Sequence, residues 1–87
     1  MRTNTNLITS EYPELDKPFE YRSYGKGELS MLYIPNIQQQ SAVDLFNKWL
    51  ETSPGLLTKL YQTGYNRRNR YYTPAQVKLI VTALGEP

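Results

Sequence analysis

The sequence predicts a small, mainly α domain of about four helices with a short basic β segment. Three observations carry that expectation. Four stretches place apolar residues at helical spacing. Most of them are bounded by recognisable starts and stops, among them Thr73-Pro74 and Gly85 around the last. One connector, Gly64 to Pro74, breaks the pattern with three arginines and three tyrosines.

The chain of 87 residues has room for one small domain with tails. Residues 1–23 read as an N-terminal arm, and residues 24–87 as the folded unit. The arm is polar, with prolines at 13 and 18 and no helical period. Ile8, Tyr12, Leu15, Phe19 and Tyr21 are its candidate anchors, and residues 1–10 are expected to form a flexible tail.

Composition narrows the chemistry. There are no cysteines, which excludes disulfides and thiolate metal sites, and no histidines, the commonest general base and zinc ligand. The acids are scattered and suggest no paired site. The expectation is therefore not an enzyme, with no cofactor, no metal and no small-molecule substrate. No apolar run approaches the roughly eighteen residues of a membrane span. Met1 to Asn6 contains no apolar signal core, so the expected compartment is the cytoplasm. Net charge is +2, unevenly spread. Residues 1–51 hold five basic and seven acidic side chains, whereas residues 52–87 hold five basic ones against Glu86 alone. That asymmetry suggests a face suited to polyanions.

The first helix is expected over Glu28–Ile34, with Leu29, Leu32 and Tyr33 on one face and Pro35 as its stop. Glu28 in its first turn suits the helix dipole. The second helix is expected over Ser41–Thr52, capped by Ser41 with Asp44 in the capping-box position. Ala42, Leu45, Phe46, Trp49 and Leu50 make its apolar stripe, with Trp49 expected at the core centre. Ser53-Pro54 reads as the start of a third helix carrying Leu56, Leu57, Leu60 and Tyr61, closed by Gly64. The last helix, Pro74 to Leu84, has a capping box in Thr73 and Gln76 and a C-cap in Gly85. Val77, Ile80, Val81 and Leu84 form its core face. Leu79 and Ala83 widen that face into either a homodimer or protein-partner surface, or a surface that the arm covers.

The candidate functional residues lie on the connector and on the second helix. Arg67, Arg68 and Arg70 carry fixed charge with a donor geometry that matches phosphates, and tyrosines stack on bases or sugars. Arg70-Tyr71-Tyr72 suits a short strand. Two readings of the connector stand: the wing of a DNA-binding domain, or a solvated loop whose tyrosines cover the core. On the second helix, Asn47 and Lys48 have the chemistry to read adenine and guanine edges, or they belong to an ordinary wet face with Asp44 and Glu51.

The order of these motifs resembles the MerR and excisionase-like winged helix-turn-helix domains. Glu28-Leu29-Ser30-Met31-Leu32-Tyr33 is similar to their opening "ELAxLLG". Leu45-Phe46-Asn47-Lys48-Trp49 is similar to "TLRRW", and Arg70 to Ile80 to "RxYTPxQVxxI". The chain departs in its longer linker, Asn36–Gln40, and in an extra helix before the wing. It bears a closer resemblance to a small bacterial domain family without an assigned activity, through Tyr24-Gly25-Lys26-Gly27-Glu28-Leu29, Leu79-Ile80-Val81 and Leu84-Gly85-Glu86-Pro87. The winged-family resemblance implies a transcriptional regulator or architectural accessory that binds double-stranded DNA. By that resemblance the second helix would enter the major groove with Asn47 and Lys48 on bases. Arg67, Arg68 and Arg70 would grip phosphates, Tyr71 or Tyr72 would pack on the sugar-phosphate surface, and Lys59 and Lys78 would add peripheral charge. The alternative is a protein-interaction module that kept the scaffold but does not bind DNA.

Overall fold

The computed structural model describes residues 18–87. The tail expected over residues 1–10 lies outside them, as do the anchors Ile8, Tyr12 and Leu15. The described chain runs β1 (Tyr24–Gly25), α1 (Lys26–Tyr33), α2 (Gln39–Thr52), α3 (Leu56–Gln62), β2 (Tyr71–Tyr72) and α4 (Pro74–Leu84). It is thus a mainly α domain with four helices and one short antiparallel ribbon. The ribbon pairs Tyr24 with Tyr72 and Gly25 with Tyr71. It joins the start of the domain to the end of the basic connector.

α1 begins at Lys26, two residues before the expected start. Glu28 makes this possible. Its carboxylate accepts the Gly25 N–H at 3.1 Å, satisfying a donor at the helix entrance. Arg22 donates to the same carboxylate at 2.8 Å and, with that backbone bond, holds it below the usual carboxylate range. The Arg22 guanidinium also lies 3.7 Å from the Tyr24 ring centroid, and Phe19 stacks on that ring at 5.5 Å. Phe19–Arg22, read as arm, therefore rest against the folded unit.

Leu29 and Ser30 face inward, but Leu32 is 45 % exposed. At about 100° per residue, an inward face centred between Leu29 and Ser30 includes Tyr33 and leaves Leu32 outside. Tyr33 is half-buried and donates its hydroxyl proton to the Gly85 carbonyl. Burial pushes its pKa up to about 12.

α2 starts at Gln39 rather than Ser41, with Gln38 in the cap position. Gln39 and Gln40 are good helix formers, so the helix extends back through them. Asp44 accepts from the Gln40 amide at 3.0 Å instead of closing a capping box. Only Ala42, Phe46 and Leu50 of the expected stripe are buried. The core centre is Phe46, not Trp49, which is 36 % exposed. Phe46 stacks on Tyr33 at 5.1 Å and meets the Tyr72 ring edge-on at 6.3 Å. Those partners lie on the Ala42–Leu50 side of the stripe, which leaves Leu45 and Trp49 on its outer flank.

α3 begins at Leu56, after Gly55 at φ 75°. A left-handed residue interrupts the helix, so Ser53-Pro54 cannot start it as expected. The Ser53 hydroxyl instead donates to the Trp49 carbonyl at 2.8 Å and closes α2. Leu56 and Leu60 are buried, and Tyr61 is exposed. Gly64 follows α3 at φ 87°, the left-handed stop read from the sequence.

α4 has the expected bounds. Thr73 Oγ1 accepts the Gln76 N–H at 3.3 Å, and Gln76 Oε1 accepts the Thr73 N–H at 2.9 Å. The buried Gln76 amide also donates to Thr73's counterpart at the end of α3, Thr63 Oγ1, at 3.0 Å. Val77, Ile80 and Val81 are buried, and Leu84 packs against the core. Leu79 and Ala83 line an open groove with Ser53, Pro54, Leu56, Lys59 and Thr82.

Ser30 is 1 % exposed and its hydroxyl has no hydrogen-bond partner. Leaving a buried hydroxyl unpaired is costly, and alanine is the better helix former. Ser30→Ala is therefore expected to stabilise the domain by about 1 kcal/mol, read as a higher urea midpoint at unchanged m. A lower midpoint would mean that a buried water partners the hydroxyl.

Candidate nucleic-acid interface

The connector between α3 and β2 is built on a tight turn. The Asn69 N–H donates to the Asn66 carbonyl at 3.0 Å, and Asn66 Oδ1 accepts the Arg68 N–H at 2.8 Å. Asparagine favours the first position of such a turn because its side chain bonds the backbone two residues on. Arg67 and Arg68 occupy the two central positions, and both side chains are exposed.

Two tyrosines anchor the turn from beneath. Tyr65 is buried and stacks on Tyr72, with ring centroids 6.1 Å apart and planes 8° from parallel. Tyr72 is fully buried, and burial raises its pKa. This corrects its assignment to the candidate contact set: Tyr72 is a core residue between Tyr65 and Phe46. Successive strand residues face opposite ways. Tyr71 is therefore the outward one, 63 % exposed.

Lys26, at the start of α1, lies under the same turn. Its Nζ donates to the Arg67 carbonyl at 2.9 Å and to the Asn66 carbonyl at 3.2 Å. It sits 4.7 Å from the Tyr65 ring centroid, and its backbone N–H donates to the Arg70 carbonyl at 2.9 Å. Burial, with Arg67 nearby, lowers its pKa.

The turn brings Arg67 to α2. Its guanidinium lies 3.6 Å from the Glu51 carboxylate, and both side chains are largely exposed. Asn47, Glu51, Tyr61, Tyr65 and Arg67 line one shallow recess. Asn47 and Arg67, picked out separately in the sequence, thus meet on one side of the domain. Lys48 is exposed at the next position of α2. Among the described residues, no acid lies within ion-pair distance of Lys48, Arg68 or Arg70. Lys78 is exposed on α4 and does not line the recess.

Sequence reading missed Lys26, Tyr65 and Glu51 as members of this site. Glu51 lies one helical turn beyond Asn47, a spacing that could have linked the two. Lys26 is 40 residues from Asn66, and no local signal joins them.

The described residues contain no group of His, Cys, Asp or Glu placed to hold a metal ion, and no helix among them is long and apolar enough to cross a membrane. The arrangement offers outward guanidiniums, an exposed tyrosine and a side-chain amide, a set suited to binding a polyanion. No curated protein and no solved structure matches the chain. The sequence pattern of one family matches residues 20–87, which takes in all the described elements and the connector. The chain belongs to that family, described as a domain of unknown function (DUF4248).

Proposed function

We propose that this domain binds double-stranded DNA as a small winged helix-turn-helix protein of the bacterial cytoplasm, acting as a transcriptional regulator or an architectural accessory. α2 would lie in the major groove with Asn47 and Lys48 toward base edges. Arg67, Arg68 and Arg70 would meet flanking phosphates, with Tyr71 beside the sugar-phosphate surface. The observation that carries this reading is the shared recess of Asn47 and Arg67, which sets a polar helix position and an arginine turn side by side. The order β1, α1, α2, α3, β2, α4 also supports it, as a winged scaffold with a longer α1–α2 linker and α3 inserted before the basic ribbon.

One observation favours the alternative, a protein-interaction module. Leu45 and Trp49 are 40 % and 36 % exposed on the other flank of α2. Apolar side chains grouped at a surface suit a protein partner.

Fluorescence anisotropy with a labelled mixed-sequence duplex, at several salt concentrations, separates the two. DNA binding predicts an affinity whose logarithm falls linearly with log salt. A folded protein that shows no binding at low salt would sink the DNA reading and favour the module.

Glu51 provides a further check. Its carboxylate pairs with Arg67 and would stand near the phosphate path. Glu51→Gln is expected to tighten duplex binding about three- to tenfold at low salt, with the gain shrinking as salt rises. Unchanged or weaker affinity would place Glu51 away from the bound duplex.

A further inference from the structure

Lys26 is the basic residue of this region whose charge turns inward. An ammonium group carries three donors. Two of them meet the carbonyls of Arg67 and Asn66, at 2.9 and 3.2 Å. The third direction holds the Tyr65 hydroxyl oxygen at 3.5 Å. The faces of Tyr65 and Tyr72 lie 4.7 and 5.6 Å away at their centroids. An aromatic face attracts a cation, and a partly desolvated cation most strongly. The half-buried ammonium thus directs its donors at protein oxygens and its charge at two ring faces rather than outward.

The two carbonyls it holds belong to the first and second residues of the Asn66–Asn69 turn. Drawing both oxygens inward fixes the two peptide planes on which Arg67 and Arg68 are mounted. The Lys26 backbone N–H holds the Arg70 carbonyl at the far end of the turn. One residue thus secures both ends of the segment that carries the three arginines.

We infer that Lys26 is a positioning residue for the basic turn: its ammonium acts as a built-in cation that shapes the arginine array and does not itself meet the nucleic acid. This rests on the DNA-binding reading for its consequence, but its structural half stands without it. A lysine that merely added charge would be interchangeable with the exposed Lys48. A lysine that shapes the turn would change affinity without changing the number of phosphates neutralised.

The test compares Lys26→Met, which keeps the aliphatic stem and loses the donors, with Arg68→Ala. In the free protein, amide exchange at Arg68 and Asn69 should accelerate at least about tenfold in Lys26→Met, while Val77 and Ile80 in α4 keep their protection. Duplex affinity should fall about tenfold, with the salt slope of the wild type preserved. Arg68→Ala should instead flatten that slope by about 0.9, one phosphate's worth. A Lys26→Met slope flattened to the same degree would overturn the inference, because Lys26 would then be a phosphate contact. Turn amides that exchange at the wild-type rate would also overturn it.

Should Lys26→Met fail to fold, the wild-type protein decides through NMR of its lysine ammonium groups. The Lys26 signal should be slow to exchange in the free protein and should stay in place when duplex is added, while that of Lys48 moves. A Lys26 signal that exchanges freely, or moves with that of Lys48, overturns the inference. If no protein binds duplex, the DNA reading fails, and exchange at Arg68 and Asn69 still decides whether Lys26 shapes the turn.

Discussion

Phe46→Ala is expected to remove about 3–5 kcal/mol of stability, the usual loss when a buried aromatic ring is truncated. A domain of this size has about 5–15 kcal/mol in total, so the loss takes a third or more of it in most of that range and should lower the urea midpoint sharply. Phe46 is fully buried and meets three aromatic rings, those of Tyr33, Trp49 and Tyr72, at 5.1, 6.2 and 6.3 Å. Those rings come from α1, α2 and β2, so its loss opens a void where three elements converge. Trp49 is the larger residue but is 36 % exposed, and among the described rings it meets only Phe46, at a tilt, and Tyr33, edge-on at 6.4 Å. Trp49→Ala should cost less, about 2–3 kcal/mol, because about a third of its surface stays in water. Urea unfolding followed by circular dichroism reads both variants on one scale. Equal losses, or a larger loss at Trp49, would put the tryptophan at the core centre after all.

The contrast shows which parts of the fold were legible. α4 was read to the residue because its signals are local: Thr73, Pro74, Gln76 and Gly85 each act within one turn of the boundary they mark. α2 was legible as a helix, but its stripe of five apolar residues was wider than the contact it makes. Which edge of that stripe faces inward depends on where α1 and β2 lie, and that is tertiary information. Ser53-Pro54 imitated a helix start, although Pro54-Gly55 is equally the dipeptide of a type II turn, and the structure makes that turn: Gly55 is left-handed and the Leu56 N–H donates to the Ser53 carbonyl at 3.1 Å. Strand alternation implied that Tyr71 and Tyr72 face opposite ways, but only the pairing of Tyr72 with Tyr24 decides which faces in. In the candidate site, the exposed arginines and Asn47 were legible from composition and spacing. Lys26, which holds the turn, was not, because it reaches Asn66 across 40 residues of chain, and Glu51 was signalled only by its helical spacing from Asn47.

That division matters for the variant in which Arg67, Arg68 and Arg70 all become alanine. All three are exposed, and the only ion pair lost among the described residues is the surface contact of Arg67 with Glu51. Such pairs contribute at most about 1 kcal/mol, so the variant should remain folded. Its Lys26 ammonium still has the backbone carbonyls at positions 66 and 67 to hold, so the turn should keep its shape. Any loss of binding then reports the arginine charges themselves. Each phosphate neutralised contributes about 0.9 to the salt slope, so removing three contacts should flatten it by about 2.7. At low salt the affinity should drop at least about a hundredfold. Asn47→Ala provides the complementary case, because an amide that reads a base edge releases no counterion. It should leave the slope unchanged and narrow the preference between duplex sequences, at about 1–3 kcal/mol for a base pair it contacts. A triple variant that binds with the wild-type slope would remove the connector from the interface. With the wild type still binding, the charge among the exposed described residues that carry no ion pair would then come from Lys48, Lys59 or Lys78. Lys78 does not line the recess, and Lys59 lines the groove between α3 and α4 instead. The duplex would in that case lie across the helical faces rather than along the ribbon.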